Sequence, residues 1–522
     1  MLPDEDNACP STENKKTPPP YIFFYDFRNV LKNDELGREI ARIAFPAALG
    51  FVADPIASIV DTAFVGQIGP VELGAVGLSV ALLSLVSRIT IFPLVSITTS
   101  FVAEEDTIGT TTSVSDKQET ESLEKGSAVN SESKELIPKD GPFEGAYKSN
   151  SLAVSSFDVE KIQIQSQRKH IPSASTALVI GAILGFIQAI FLISGAKPLL
   201  HLMGISSDSP MLLPAQQYLT LRALGAPAVL LSTAMQGAFR GLKDAKTPLY
   251  AIVIGDVTNL ILDPIFMFVF GLGVRGAAIA HVISQYLITA ILFWRLVQQV
   301  DLLPPSIKHL TFSRFLKNGS LLLIRVLAVT FFLTLSASLA SRLESAPMAA
   351  FEVCLQVWLA TSLLADGYCV AGQALLAGAF AKRDYAEVTA IASRVLQLGL
   401  LLGLMLAAVI GVGLGFGGRL FTNDVDVLHM MIAAIPFVAG TLPINAVAYV
   451  FDGVFFGSSD YAYAAYSMVM VSIGSTLCLI FLSSSYKFIG LWIALAIFMS
   501  LRASVGFLRL GTGSGPWNYL KS

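Results

Sequence analysis

This chain is poor in charge. Asp, Glu, Lys and Arg make up 14% of its 522 residues against 54% apolar residues, and the mean hydropathy is +0.65. One soluble core of this length would not need so much apolar side chain, so most of it must face lipid or other buried helices. Cysteine is far scarcer still. Cys9, Cys354, Cys369 and Cys478 lie far apart, three of them inside apolar stretches, which excludes a disulfide framework and a zinc-ligand spacing. No cofactor or metal is expected. A nucleophile with its base, a metal cluster and a phosphate loop are missing too, so the chain does not read as an enzyme. With a net charge of −3, no nucleic-acid partner is expected. The first residues, MLPDEDNACPSTENKKTPPP, lack the basic start and apolar run of a signal peptide and the Arg/Ser-rich character of a transit peptide. An uncleaved, cytosolic N-terminus is expected.

What is present is a succession of apolar stretches, each of about 20 residues or more and long enough to span a bilayer. They predict helices over 38–64, 72–102, 174–203, 212–239, 247–271 and 275–296, then 313–341, 347–380, 386–416, 425–456, 461–484 and 488–510. The fold class is therefore an all-α polytopic membrane protein with twelve transmembrane helices. The lipid bilayer is its first partner. Its expected organisation is a cytosolic tail over 1–37, a first lobe over 38–102 and 173–296, a linker over 297–312, a second lobe over 313–510 and a cytosolic tail over 511–522. Residues 103–172, rich in Ser, Glu and Lys, are too polar to fold alone and are expected to form a disordered cytosolic loop. Lys and Arg number roughly two dozen in the loops of one face and about five in those of the other, which puts both termini in the cytosol.

The two lobes read as copies. Phe239-Arg240-Gly241 has a counterpart in Phe451-Asp452-Gly453, and Val274-Arg275-Gly276 in Ile489-Gly490-Leu491, at nearly the same offset. Gly69-Pro70-Val71 matches Ala346-Pro347-Met348 only at an offset longer by about 60 residues, close to the length of the inserted loop. Two pseudo-symmetric lobes of six helices place a substrate path between them.

Ionisable side chains inside spans cost roughly 2.5–3.5 kcal/mol each on insertion scales, so each asks for a partner or a task. Asp54 and Asp61 lie two turns apart on one face of a span that Pro46 and Pro55 interrupt. Asp256, Asn259 and Asp263 form a second polar face. Glu352 and Gln356, then Asp366 and Gln373, mark the eighth span, and Asn445, Tyr449 and Asp452 the tenth. The carboxylates Asp54, Asp61, Asp256, Asp263, Glu352 and Asp366, with Asn259, are candidates for a coupling ion. A helix cap for Asp61, a kink before Pro264 for Asp263, and ordinary interhelical hydrogen bonds remain alternatives. Arg88 and Arg325 sit well inside their spans, and the guanidinium fork matches a carboxylate, so they are candidates for an anionic substrate, with Arg222 and Gln356 beside them. Snorkelling of Arg325, or neutralisation of an aspartate by Arg88, is the competing account. His281 and Gln285 lie one turn apart in the sixth span.

The strings DPIASIVDTAFVGQIGPVELGAVGLSV, RITIFPLVSITTSFVAEED, RALGAPAVLLSTAMQGAFRGLKDAKTP, ILDPIF, GAAIAHVISQY and PMAAFEVCLQVWLATSLLADG resemble a plant multidrug and toxic compound extrusion (MATE) protein, and within it the citrate-exporting branch. The resemblance runs from about Gly37 to Pro516. It implies two lobes rocking about a central cavity, with citrate or a related organic anion exported against entry of protons or sodium. It also implies a plasma-membrane location and a role in aluminium tolerance or iron translocation. Asp61 matches a coupling carboxylate in one branch of the family. Glu352, where a glutamine is usual, and Tyr368-Cys369 depart from its pattern. Rival expectations are a MATE-type proton antiporter of cationic or neutral drugs and secondary metabolites, and a non-transporting receptor or scaffold.

Overall fold

A computed structural model describes residue 27 and residues 30–129, 169–302, 312–343, 345–417 and 424–521. The first lobe holds α1 (Glu35–Gly66), α2 (Pro70–Val129), α3 (Pro172–Ser194), the short α4 (Ala196–Leu202), α5 (Leu212–Ala223), α6 (Ala226–Gly241), α7 (Lys246–Pro264) and α8 (Val274–Gln299). The second holds α9 (Phe312–Ala340), α10 (Ser345–Lys382), α11 (Tyr385–Gly417), α12 (Val425–Gly457) and α13 (Tyr461–Gly511).

Ten of these helices are long and apolar enough to cross a bilayer among the described residues. The pair α5 and α6, bent by 46°, makes an eleventh crossing. Helix α13 is broken at Lys487, whose φ of 49° lies in the left-handed region, and so supplies two. Twelve crossings result, as the apolar stretches predicted. Glycine and proline set the breaks. Gly225 and Pro227 stand at the α5–α6 bend, and α7 passes after Pro264 into a π-helical turn over Ile265–Val269, because proline removes a backbone donor.

Three boundaries differ from the expectation. Helix α2 does not stop at 102 but continues to Val129, so the start of the expected disordered loop is helical. The acidic run that suggested a loop is paired instead: Arg314 reaches Glu104 at 2.6 Å, Ser173 donates to Glu105, and Lys169 reaches Asp106 at 2.6 Å. Residues 130–168 of that loop lie outside the described residues. Within the expected linker, Val300–Asp301 pairs in parallel with Lys169–His170. The C-terminal tail packs back as a 3-10 helix, Gly515–Lys521, with Trp517 fully buried. Most of the N-terminal tail, 1–26, is also outside the described residues.

Within the first lobe α6 packs on α2 and α3, and α7 on α8; within the second α12 packs on α10, α11 and α13. Between the lobes, α1 and α2 pack on α10, and α2 on α9. The named contacts across this junction gather toward the end of the bundle that carries the chain termini. There Ile40, Ala44, Ile97 and Phe101 share one core with Phe315, Leu375, Phe456 and Tyr461. Small residues permit the close approach. A Cβ on Gly367 of α10 would lie 2.5 Å from the Ala44 carbonyl oxygen of α1.

Candidate functional site

Two polar clusters of opposite character lie inside the bundle. The first belongs to the first lobe. Asn259, one turn before Asp263 on α7, donates from Nδ2 to Asp61 Oδ1 at 2.9 Å and to Asp263 Oδ2 at 3.1 Å, so one amide ties α1 to α7. The Asp61 and Asp263 carboxylates are thus gathered about one amide and act on each other electrostatically. Asp54 and Asp256 are close enough to this group to act on it electrostatically. Arg222 is the cation among these carboxylates. It donates to the Tyr218 hydroxyl and stacks over the ring of that tyrosine, its Cζ 5.5 Å from the centroid, and its charge also reaches Asp54, Asp263 and His281. Asp256 Oδ2, Asn259 Oδ1 and Asp263 Oδ1 are buried without a hydrogen-bond partner. Buried acceptors without donors are costly, and a cation or proton is what they lack. Among the described residues no group of His, Cys, Asp and Glu side chains is arranged to hold a metal ion.

The second cluster lies at the junction, mostly in the second lobe, and is dominated by arginine. Asp452 on α12 receives Arg325 of α9 on Oδ1 and Arg502 of α13 on Oδ2, and all three are buried. Arg502 lies over the Tyr449 ring, 4.4 Å from its centroid. Arg325 lies between two rings, 5.7 Å from Phe92 and 5.2 Å from Phe456. From the first lobe, the buried Arg240 of α6 stacks 4.9 Å from the Phe51 centroid, and its charge acts on Asp366 of α10. Three arginines thus face two aspartates.

Comparison with known proteins fits this architecture. A family model described as MatE matches residues 167–265 and 322–482. Protein DETOXIFICATION 42 of Arabidopsis thaliana is 64% identical, over 97% of this chain and 97% of its own length. Protein DETOXIFICATION 43 of the same plant is 54% identical, over 97% and 96%. The chain belongs to the MATE family. Its fold is that of solved MATE structures: one described as the bent conformation superposes with a TM-score of 0.74 at 18% identity, covering 94% of this chain and 97% of that one. Another, described as an outward-facing multidrug resistance MATE transporter, gives 0.73 at 18%, covering 97% and 99%. This MATE protein is therefore a membrane transporter, not an enzyme, and moves small substrates coupled to ions.

Of the candidate coupling residues in the transporter, Asp54, Asp61, Asp256, Asn259 and Asp263 come together. Glu352 does not join them. It is exposed and accepts from Gln356 Nε2 at 2.9 Å, and Asp366 belongs with the arginines. Of the candidate anion contacts, Arg325 falls in the basic cluster. Arg222 falls instead among the carboxylates, hydrogen-bonded to Tyr218 of its own helix and acting on Asp54 and Asp263. Gln356 is taken up by Glu352. Arg88 is exposed on α2. Sequence reasoning missed Arg240 and Arg502 as site residues. Arg240 was in view as part of the repeated Phe-Arg-Gly string, and Arg502 as one of few charges in the last span, eight residues before its end.

Proposed function

We propose that this transporter exports citrate, or a related organic anion, from the cytosol, in antiport with protons or sodium. Its place is the plasma membrane, with both termini cytosolic, and its role is in aluminium tolerance or iron translocation in a plant. The observation that carries the reading is the surplus of arginine at the lobe junction, Arg240, Arg325 and Arg502 against Asp366 and Asp452. A polycarboxylate suits such a surplus and an organic cation does not. The carboxylates of the first lobe, with their unpartnered oxygens, suit the entering cation.

The energetics favour export. A negative interior drives each negative charge outward by about 2.3 kcal/mol per 100 mV, so a trivalent citrate gains roughly 7 kcal/mol from potential alone. Rocking of the lobes about the α1–α10 contact exposes the junction first to one side and then to the other. A second reading, a proton antiporter of cationic drugs or metabolites, is favoured by one feature: the first-lobe cluster gathers four carboxylates, and Arg222 acts on two of them, Asp54 and Asp263.

Efflux of preloaded labelled citrate from oocytes expressing the protein separates the two. Citrate loss with inward current, lowered by Arg240→Ala or Arg325→Ala in protein that reaches the surface, supports the anion exporter. An unmutated protein that releases no citrate at any external pH or sodium level, yet lowers the uptake of a cationic dye, establishes the second reading.

A further inference from the structure

Asp452 occupies two guanidinium groups at once. Arg325 and Arg502 approach its two oxygens from different helices, α9 and α13, an arrangement that a free carboxylate between two arginines would share. Neither fork is used up. The Nε of Arg325 and the Nε of Arg502 are buried without a hydrogen-bond partner, while the two side chains are 3% and 5% exposed. Donors of this kind are aligned for an acceptor that is not part of the chain.

The cover over this cluster comes from the other lobe. Phe92 belongs to α2, and its ring meets Phe456 edge to face at 5.9 Å with the Arg325 guanidinium against both. Phe92 is held there by the packing of α2 on α9 and α10. A parting of the lobes at the termini end would carry Phe92 away with α2 and open the guanidinium pair toward that side.

We infer that Arg325, Asp452 and Arg502 form a carboxylate-binding subsite in which Asp452 is an internal occupant, Phe92 is the cover, and Arg502 contacts the substrate beside Arg325. The inference rests on the organic-anion reading given above. Asp452 neutralises the arginines while the site is covered, which avoids leaving two charges unpaired in the interior. It also competes with the ligand. A transporter has to release what it binds, and an internal competitor keeps the affinity low enough for release. Arg240, which donates to Gln236 at 3.3 Å, acts on Asp366 as a third cation of the same cluster.

The test is citrate binding by calorimetry to the purified full-length protein in nanodiscs. Asp452→Asn removes the competing charge and is expected to bind citrate about tenfold more tightly. Arg502→Lys keeps the charge opposite Asp452 but loses the planar fork, and is expected to bind about tenfold more weakly with its melting temperature retained. Should either variant fail to fold, phenylglyoxal labelling of the unmutated protein decides: citrate is expected to protect Arg502. Unchanged affinity in folded Arg502→Lys, or equal labelling of Arg502 with and without citrate, overturns the subsite while leaving citrate transport standing. An unmutated protein that binds neither citrate nor any other di- or tricarboxylate overturns the anion reading and this inference with it.

Discussion

Gln373 of α10 donates from Nε2 to Ser100 Oγ at 2.8 Å and to the Ser96 carbonyl, and Ser100 in turn donates to the Phe456 carbonyl at 2.9 Å. One glutamine of the second lobe thus holds two turns of α2 in the first, and the hydroxyl between them ties that helix to α12. This chain of bonds is buried and lies on the side of the junction that must open for a substrate to enter from the termini side. Replacing Gln373 by Leu keeps the volume and removes the donors, at about 1 kcal/mol per lost bond. The population with lobes parted at this end is expected to rise about fivefold for each such bond. Spin labels at the outer turns of α2 and α9 would read it. A distance distribution identical to that of the unmutated protein would show that these bonds do not hold the closed state.

Gly367 offers a steric version of the same test. Its α-carbon lies where a methyl would meet the Ala44 carbonyl oxygen at 2.5 Å and the Ala48 Cβ at 2.8 Å. Gly367→Ala is expected to cost roughly 1–3 kcal/mol in the closed arrangement, the usual range for overpacking, and Gly367→Val more. Because the clash lies between lobes, transport should fall while each lobe stays folded. Near-normal transport by Gly367→Val would mean that α1 and α10 are not in contact during the cycle.

The sequence made the twelve crossings legible because lipid forces each span to satisfy its own backbone, so apolar length alone reports them. It also put Asn259 and Asp263 on one face through their i and i+4 spacing on α7, while their meeting with Asp61 of α1 appears only in the packing of the two helices. The arginines were harder to read. Which groups Arg222 meets depends on how α5 packs against its neighbours, and whether Arg502 is interior or interfacial depends on how α13 turns after Lys487. Periodicity carries neither. The helical course of α2 past 102 was hidden for another reason: Glu104, Glu105 and Asp106 are partnered by Arg314, Ser173 and Lys169, residues distant in the chain, and composition alone cannot show such pairing.

Trp517 illustrates the same point at the C-terminus. It is 0% exposed, faces Phe380 edge-on at 5.4 Å and lies near Tyr519, which stacks on Tyr385 at 4.5 Å. A residue in what the sequence presents as a tail is thus part of the core that joins the lobes. Trp517→Ala is expected to destabilise the protein by about 3–5 kcal/mol, as aromatic truncations in cores do. Thermal unfolding of the detergent-solubilised protein followed by intrinsic fluorescence would detect it. A melting temperature within a degree of the unmutated value would place Trp517 outside the packed core.

Asp34 gives a pH dependence outside the membrane-spanning segments. Its carboxylate caps α1 by accepting from the Gly37 N–H at 2.8 Å and pairs with Arg394 of the second lobe at 3.1 Å. The Gly37 N–H holds its carboxyl below the ordinary Asp value; burial opposes this, and the Arg394 charge adds to it. A depressed carboxyl contributes stability that is present above the ordinary value, near 3.8, and is lost as pH falls through the depressed one. Asp34→Ala is therefore expected to melt below the unmutated protein at pH 7, with the difference shrinking as the pH is taken below 3.8. A difference of equal size at pH 7 and at the lowest pH where the protein stays soluble would remove the charge from the account.

Asp61→Asn bears most directly on coupling. The amide oxygen of the new side chain still accepts from Asn259 Nδ2, which the aspartate meets at 2.9 Å, so the tie between α1 and α7 is retained while the negative charge is lost. If the carboxylates gathered by Asn259 take up the entering cation, the variant should still export anion down the membrane potential, since roughly 7 kcal/mol for a trivalent ion does not depend on that site. What it should lose is the response to the cation. In the unmutated protein, lowering external pH or raising external sodium is expected to speed efflux; in Asp61→Asn the rate should stay flat across the same range, and Asp263→Asn should behave likewise because it shares the Asn259 amide. Efflux by Asp61→Asn that keeps the full pH and sodium response would move coupling away from this cluster, and Asp366, the remaining carboxylate at the junction that bears no guanidinium ion pair among the described residues, would become the residue to replace next.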